Sequence, residues 1–319
     1  MKNGKHILVT GGAGFIGAHL VERLLKDGKS VVVIDDLSTG SRDNLRAVAQ
    51  NKNFRFIQTK ISAFAELPEL AANSEFIFHL AATVGVELVV KSALHVLEAS
   101  FNETQILLRA AAKNSTPILF TSTSEVYGKS AKPEFSEDDD LLIGPPGQSR
   151  WSYACSKLTD EFLALAYARE KNLPVTIARL FNTVGPRQTG RYGMVLPRFI
   201  SAAKNNEPLK VFGDGAQSRC FCLVHDVVEA LVRLQKNDAA RGEIFNIGGT
   251  EEISILELAK LVVATLDSKS QIELIPYDQA YAPGFDDMRR RKPLVEKLER
   301  CVNFKPQTTL REIIRLTAG

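Results

Sequence analysis

The sequence predicts an α/β protein built on a doubly wound parallel sheet, with a smaller C-terminal α/β lobe. Three observations predict it. Short β-branched apolar runs alternate with amphipathic stretches of helical length through the N-terminal half. A glycine pattern stands directly after the first of those runs, and Gly and Pro punctuation thickens after Phe181. At 319 residues the chain exceeds one small core and falls short of three domains. We divide it into residues 1–180 and 181–319.

Taken in order, His6–Val9, Ser30–Ile34, Phe54–Gln58, Phe76–His79, Pro117–Thr121 and Val175–Leu180 read as strands, enough for such a sheet. Between them, Gly17–Lys26 carries Leu20, Leu24 and Leu25 at helical spacing, and Thr159–Glu170 reads as a second helix. Past Phe181 the breaks at Gly185-Pro186, Gly190, Gly193, Gly213-Asp214-Gly215 and Pro283-Gly284 mark a loop-rich lobe. Within it His225–Gln235 and Ser254–Leu266 read as helices, and Glu243–Ile247 as a strand able to return to the main sheet. The acidic run Glu137-Asp138-Asp139-Asp140 reads as a solvated loop.

Composition removes several function classes. Apolar residues at 45% and charged residues at 24% exclude extended disorder and a heptad rod. Lys and Arg outnumber Asp and Glu by only 40 to 37, too little to neutralise many phosphates, so a nucleic-acid partner is not expected and any bound anion is small. No long apolar stretch or leader segment suggests a membrane or export, and the expected location is the cytoplasm. Cys155, Cys220, Cys222 and Cys301 show no C-x-x-C spacing, which indicates neither a disulfide framework nor a metal site. Cys155 reads as a small apolar filler on a helix.

The segment from His6 to Gly17 places Gly11-x-x-Gly14-x-x-Gly17 between an apolar strand and an amphipathic helix. Gly11 permits the tight turn, Gly14 lets backbone N–H groups approach a pyrophosphate, and Gly17 permits close packing of helix on strand, with Phe15 and Ile16 opening that helix. The next strand ends at Asp35-Asp36, where a carboxylate can accept from an adenosine ribose and would repel a 2′-phosphate. NAD is the cofactor this pattern favours. The strand ending Leu80-Ala81-Ala82 offers small residues where the chain can pass beneath a dinucleotide, and His79 reads as structural.

Tyr153-Ala-Cys-Ser-Lys157 sets a phenol and an ammonium four residues apart, on one face of a helix. A phenol titrating near 10 is a poor base at neutral pH; a neighbouring ammonium can lower it, letting Tyr153 take a proton from a sugar hydroxyl as the hydride leaves for NAD. Lys157 would also hold the nicotinamide ribose.

Joined to the glycine pattern, these residues resemble the extended short-chain dehydrogenase/reductases that modify nucleotide sugars on a Rossmann fold. The resemblance runs through Thr121-Ser-Thr-Ser-Glu-Val-Tyr-Gly128, Phe181-Asn-Thr-Val-Gly-Pro-Arg187, Gly213-Asp-Gly-Ala-Gln-Ser-Arg219 and Phe245-Asn-Ile-Gly248. It implies that a hydroxyl of Thr123 or Ser124 joins Tyr153 at the sugar O4. It further implies that Asn182 and Arg219 hold the nucleotide diphosphate with Arg191 and Val195 in the same substrate site, and that the chain forms a homodimer through helices near 92–112 and 159–171. Lys60 departs from the resemblance, standing where many relatives carry an Asp that contacts adenine.

Glu125 discriminates among the reactions that can follow a transient 4-ketone. Simple 4-epimerases of the family usually have a small or apolar residue there, whereas a carboxylate points to chemistry at C5. The stretch from Tyr281 to Pro293 resembles that of bacterial UDP-glucuronate decarboxylases, in which an arginine matching Arg291 engages the substrate carboxylate or acts as an acid. Arg289 and Arg290 read equally well as a solvated turn. The expectation is a UDP-glucuronate decarboxylase, with 4-epimerase of UDP-glucose or UDP-glucuronate, 4,6-dehydratase and a non-catalytic NAD(H) sensor as alternatives.

Overall fold

Successive side chains of a strand point to opposite faces of its sheet, so a parallel strand covered on both sides must be apolar throughout. The N-terminal runs meet that condition. The computed structural model describes residues 5–82, 93–149, 151–190, 194–276 and 288–319. The first part comprises β1 (His6–Thr10), α1 (Phe15–Lys26), β2 (Val31–Asp35), β3 (Phe54–Gln58), α2 (Leu67–Ala72), β4 (Ser74–His79), α3 (Ala93–Ala112), β5 (Ile118–Thr123), α4 (Trp151–Lys171) and β6 (Val175–Leu180). Then come β7 (Thr183–Val184), α5 (Val195–Lys204), β8 (Leu209–Phe212), β9 (Ser218–Cys220), β10 (Cys222–Leu223), α6 (Val224–Gln235) and β11 (Ile244–Ile247). The last elements are β12 (Glu252–Ser254), α7 (Ile255–Thr265), β13 (Ile272–Ile275), α8 (Glu296–Val302) and α9 (Leu310–Ala318).

Seven strands form one parallel sheet in the order β11-β6-β5-β4-β1-β2-β3, with β11 at the edge. All six strands expected from the sequence lie in it, and the run at Ile244–Ile247 returns to it as expected. The alternation sorts the core into two layers. Ile7, Val9, Val31, Val33 and Phe78 face α1 and α6, whereas Leu8, Val32, Ile34, Ile77, Ile118 and Phe120 face α2, α3 and α4. Each fully buried side chain of this size contributes about 1.5–3 kcal/mol.

The C-terminal region has its own core, made by α5, α7, α9, β8 and the loop residue Phe221. It is more regular than its punctuation suggests, with three two-stranded sheets in addition to its helices. Ser254 starts α7 by accepting from Glu257 N at 3.1 Å, an N-cap. Two expectations need correction. The helix expected from Thr159 starts at Trp151, because burial of Trp151 and Ala154 against Tyr127, Phe135 and Phe181 overrides the weak helix propensity of Ser152, Tyr153 and Cys155. The acidic run is not wholly solvated either. Glu137 is buried and accepts from Asn246 N at 2.7 Å, and Asp139 accepts from Lys132 at 2.6 Å and Ser136 N at 2.9 Å.

A buried polar network ties β5, α4, β6 and β11 together below the C-terminal ends of the strands. Arg179 donates to both Glu161 oxygens, with Nη2 at 2.8 Å, and its Nη1 donates to the Tyr127 hydroxyl at 3.0 Å. Tyr127 donates to Asn246 at 2.7 Å, and Ser122 donates to Glu161. Nearby, His79 lies between Thr10 (2.7 Å) and Thr104 (3.2 Å), as the structural reading expected. Burial, aided by Lys157, lowers its pKa to about 3.

An imidazole that titrates near 6.5 when unfolded and near 3 when folded takes up its proton only in the unfolded chain between those values. Stability from His79 is therefore complete above pH 6.5 and is lost as pH falls. Denaturant titrations from pH 7 to 5 should show wild-type stability declining more steeply than that of His79→Gln, by about 1 kcal/mol per pH unit. Parallel profiles would show that His79 is not a buried neutral imidazole.

Candidate active site

The turn between β1 and α1 is held open by absent side chains. Gly11 has φ of +72°, and a Cβ there would stand 2.5 Å from Ala81 N; one on Gly17 would stand 2.2 Å from Gly11 O. Both obstacles are backbone atoms, which cannot swing aside. α1 begins at Phe15 with Gly14 as its N-cap and no side-chain cap. Its first-turn N–H groups, those of Phe15, Ile16 and Gly17 among them, are thus available to an anion. Asp35 ends β2 beside this turn and accepts from Ala13 N at 2.9 Å and Leu37 N at 2.8 Å. Burial pushes its carboxyl up, and these two amides oppose the rise. A carboxylate has about four acceptor sites, so two remain for a diol. Leu80, Ala81 and Ala82 continue past the end of β4, half-buried, with Ala81 against Gly11. Lys60 is exposed, at the start of the turn Ile61–Ala63.

The chemistry-bearing residues gather at the same end of the sheet. β5 runs into the tight turn Ser124–Tyr127, whose N-cap Thr123 accepts from Glu125 N at 3.2 Å. The Thr123 hydroxyl also hydrogen-bonds the phenol of Tyr153. Of the two hydroxyls considered, Thr123 is the one bonded to the tyrosine, and Ser124 beside it is buried. Lys157 follows Tyr153 by one helical turn and is also 2% exposed. Its Nζ lies 3.9 Å from the centroid of the Phe120 ring and 3.9 Å from Asp160 Oδ2.

The expected ionisation of Tyr153 is corrected here. Burial first, and the Glu125 carboxylate second, raise its proton affinity above that of an ordinary phenol, with only Thr123 pulling the other way. The site without ligands therefore holds a phenol, not a phenolate. Burial also pushes Lys157 toward the neutral amine, against the carboxylates of Asp160 and Glu161.

Glu125 and Arg291 form an ion pair through Oε1 and Nη1, both side chains mostly buried. Arg291 Nε is buried with no hydrogen-bond partner among the described residues. In the C-terminal region Asn182 donates to Cys220 O at 2.8 Å, and the buried Arg219 donates to Ser218 O at 2.8 Å. Val195 is the first residue of α5, half-buried. Arg191 and the segment 281–287 lie outside the described residues. Arg290 is exposed and pairs with Glu252 at 2.7 Å, which is compatible with the solvated-turn reading.

Sequence reasoning missed Asp160, Ser100 and Thr104, which back Lys157, and Glu161 with Arg179, which hold α4 against β5 and β6. The signal for Asp160 was its position three residues after Lys157, where a helix brings two side chains together. Ser100 and Thr104 carry no local signal, since only the packing of α3 on α4 brings them there.

Comparisons with known proteins place the whole chain in a family. The model of the NAD dependent epimerase/dehydratase family matches residues 7–248. The chain is 41% identical over 314 residues to a UDP-N-acetyl-alpha-D-glucosaminuronate decarboxylase of Bacillus cytotoxicus, covering 98% of this chain and 96% of that one. It is 35% identical over 311 residues to UDP-glucuronic acid decarboxylase 2 of Arabidopsis thaliana, covering 98% and 67%. Among solved structures it resembles a UDP-glucuronic acid 4-epimerase from Bacillus cereus in complex with UDP-glucuronic acid and NAD, with a TM-score of 0.87, 28% identity and 98% of each chain covered.

Proposed function

The chain belongs to the NAD dependent epimerase/dehydratase family, and from that membership and the site we propose that it is a decarboxylase of a UDP-linked hexuronate, with UDP-glucuronate the expected substrate. The observation that carries this reading is the Glu125–Arg291 pair beside Tyr153, with an Arg291 donor that no described residue fills. An arginine with a buried open N–H suits a sugar that bears a carboxylate at C6. The Bacillus relative's name adds an N-acetylated hexuronate as a second substrate to test.

NAD is the cofactor of the family, and the uncapped start of α1, the space above Gly11 and the open acceptors of Asp35 fit it. Those groups would hold it, with Lys157 at its ribose, and it would supply the acceptor, and later the donor, of a hydride at C4. Tyr153 would accept the proton of the sugar O4 as a phenolate, which the positive charges of the oxidised nicotinamide and of Lys157 would favour once the ligands are bound, and Thr123 orients it. Oxidation at C4 makes the C6 carboxylate β to a ketone. The C5–C6 bond then breaks with its electron pair passing into the C4 enolate, and carbon dioxide leaves. Arg291 holds the C6 carboxylate until that step, and Glu125 then takes a proton from water and passes it to C5 as the enolate collapses to the C4 ketone. Tyr153 returns its proton to O4 when C4 is reduced. Asn182, Arg219 and Val195 would hold the nucleotide end; Arg191, expected there too, lies outside the described residues. An epimerase reading has the solved relative behind it but leaves the Glu125–Arg291 pair without a task.

A cytoplasmic setting fits four cysteines that are all unpaired. Among the described residues no helix is long and apolar enough to cross a membrane. The partner we propose is a second copy of the chain. Leu94, Leu97 and Phe101 recur at helical spacing on α3, and Leu94 (68%) and Phe162 of α4 (63%) are the most exposed large apolar side chains described.

Mass spectrometry after incubation with NAD and either UDP-hexuronate should show loss of carbon dioxide; unchanged mass with inversion at C4 would make the protein an epimerase, and loss of water a dehydratase. Glu125→Ser should lower carbon dioxide release by about 10²-fold while C4 oxidation persists, and an unaffected rate would remove Glu125 from the chemistry. In sedimentation, wild type should run as a dimer and Phe162→Glu as a monomer; a wild-type monomer would end the pairing proposal.

A further inference from the structure

Asp160 has no exposed surface, and its one cationic neighbour given by the ion-pair geometry is Lys157. Ser100 Oγ donates to its Oδ2 at 2.7 Å, Thr104 hydrogen-bonds it as well, and Oδ1 is buried without a partner among the described residues. A buried carboxylate this incompletely solvated is costly to the fold. Its position explains its presence. Lys157 is itself buried against Phe120, and of the two carboxylates that favour its ammonium, Glu161 is already engaged by three contacts from Arg179.

We propose that Asp160 is a positioning residue for proton transfer at Tyr153, holding Lys157 as an ammonium within the apolar pocket made by Phe120. This deepens the proposed function and rests on its assignment of Tyr153 as the base. Three elements meet around the Asp160–Lys157 pair. α3 supplies Ser100 and Thr104, α4 supplies Asp160 and Lys157, and β5 supplies Phe120. Thr104 also binds His79, so the contact continues to Thr10 at the end of β1, next to the glycine turn.

The effect on pH has one sign. The Asp160 carboxylate raises the proton affinity of both Lys157 and Tyr153. The other groups facing this cluster are Glu125, paired with Arg291; Glu161, paired with Arg179; and His79, which stays neutral. Removing the Asp160 charge should therefore lower the pH at which the Tyr153–Lys157 couple loses a proton.

The test is Asp160→Asn in the NAD-bound protein. The acid limb of kcat should move down by about one pH unit or more, plateau kcat should fall about tenfold, and KM for the nucleotide sugar should stay within about twofold. Should the Asn variant fail to fold, Asp160→Ser removes the same charge, leaves a smaller side chain and should give the same displacement. The ultraviolet absorbance of tyrosinate, taken as the difference from Tyr153→Phe, reads the shift without any substrate. Displacement of that titration supports the role even if the proposed substrate is wrong. A limb and a tyrosinate titration that both coincide with wild type would overturn it, and absence of turnover with every UDP-hexuronate would count against the decarboxylase reading alone.

Discussion

An ammonium group buried against a phenylalanine ring is the constraint around which this site is organised. Lys157 is nearly removed from water, so its charge depends mostly on what is placed near it. Phe120 offers its ring face, Asp160 a carboxylate, and the backbone of α4 sets the turn between Lys157 and Tyr153. Each depends on α4 lying flat against β5 and β6. That contact is secured beneath the site by the Glu161–Arg179 pair, whose guanidinium is satisfied by Glu161, Tyr127 and the Glu137 carbonyl. Losing one partner of such a buried pair typically costs about 3–5 kcal/mol, and here it would loosen the helix that bears the base.

The same network joins the two ends of the chemistry. Tyr127 belongs to the turn that presents Glu125, and its hydroxyl is bound to Asn246 on β11. Asn246 in turn donates to the carbonyls of Phe135 and Leu294, close to the segment that carries Arg291. The Glu125–Arg291 pair is thus supported from both sides by backbone that the buried polar groups fix. In the ligand-free site Glu125 helps to keep Tyr153 protonated. A substrate carboxylate that engages Arg291 would change the electrostatics of Glu125, and through it those of the phenol.

Much of this was legible in the sequence, for reasons that are local. The strands announced themselves because both faces are covered, which forces runs such as Val31–Asp35 to be apolar, and the glycine turn did so because Gly11 and Gly17 meet backbone that no side chain can displace. Tyr153, Lys157, Glu125 and Arg291 stand out by residue type, spacing or family resemblance, although only the fold shows that the last two are paired across 166 residues. What stayed hidden is non-local. The start of α4 at Trp151 follows from aromatic burial, not propensity. Glu137 looked solvated because its partner, Asn246 N, lies 109 residues away. The phenol was expected to be lowered by Lys157, but pattern alone could not weigh burial and Glu125 against that effect.

The central claim is that Tyr153 takes the O4 proton as C4 is oxidised. Rapid mixing of the NAD-bound protein with UDP-glucuronate, followed by absorbance of NADH, tests it most directly. The account predicts a transient in wild type and, in Tyr153→Phe with NAD still bound, no transient and turnover reduced by about 10²-fold or more. A Phe variant that produced NADH at the wild-type rate would contradict it.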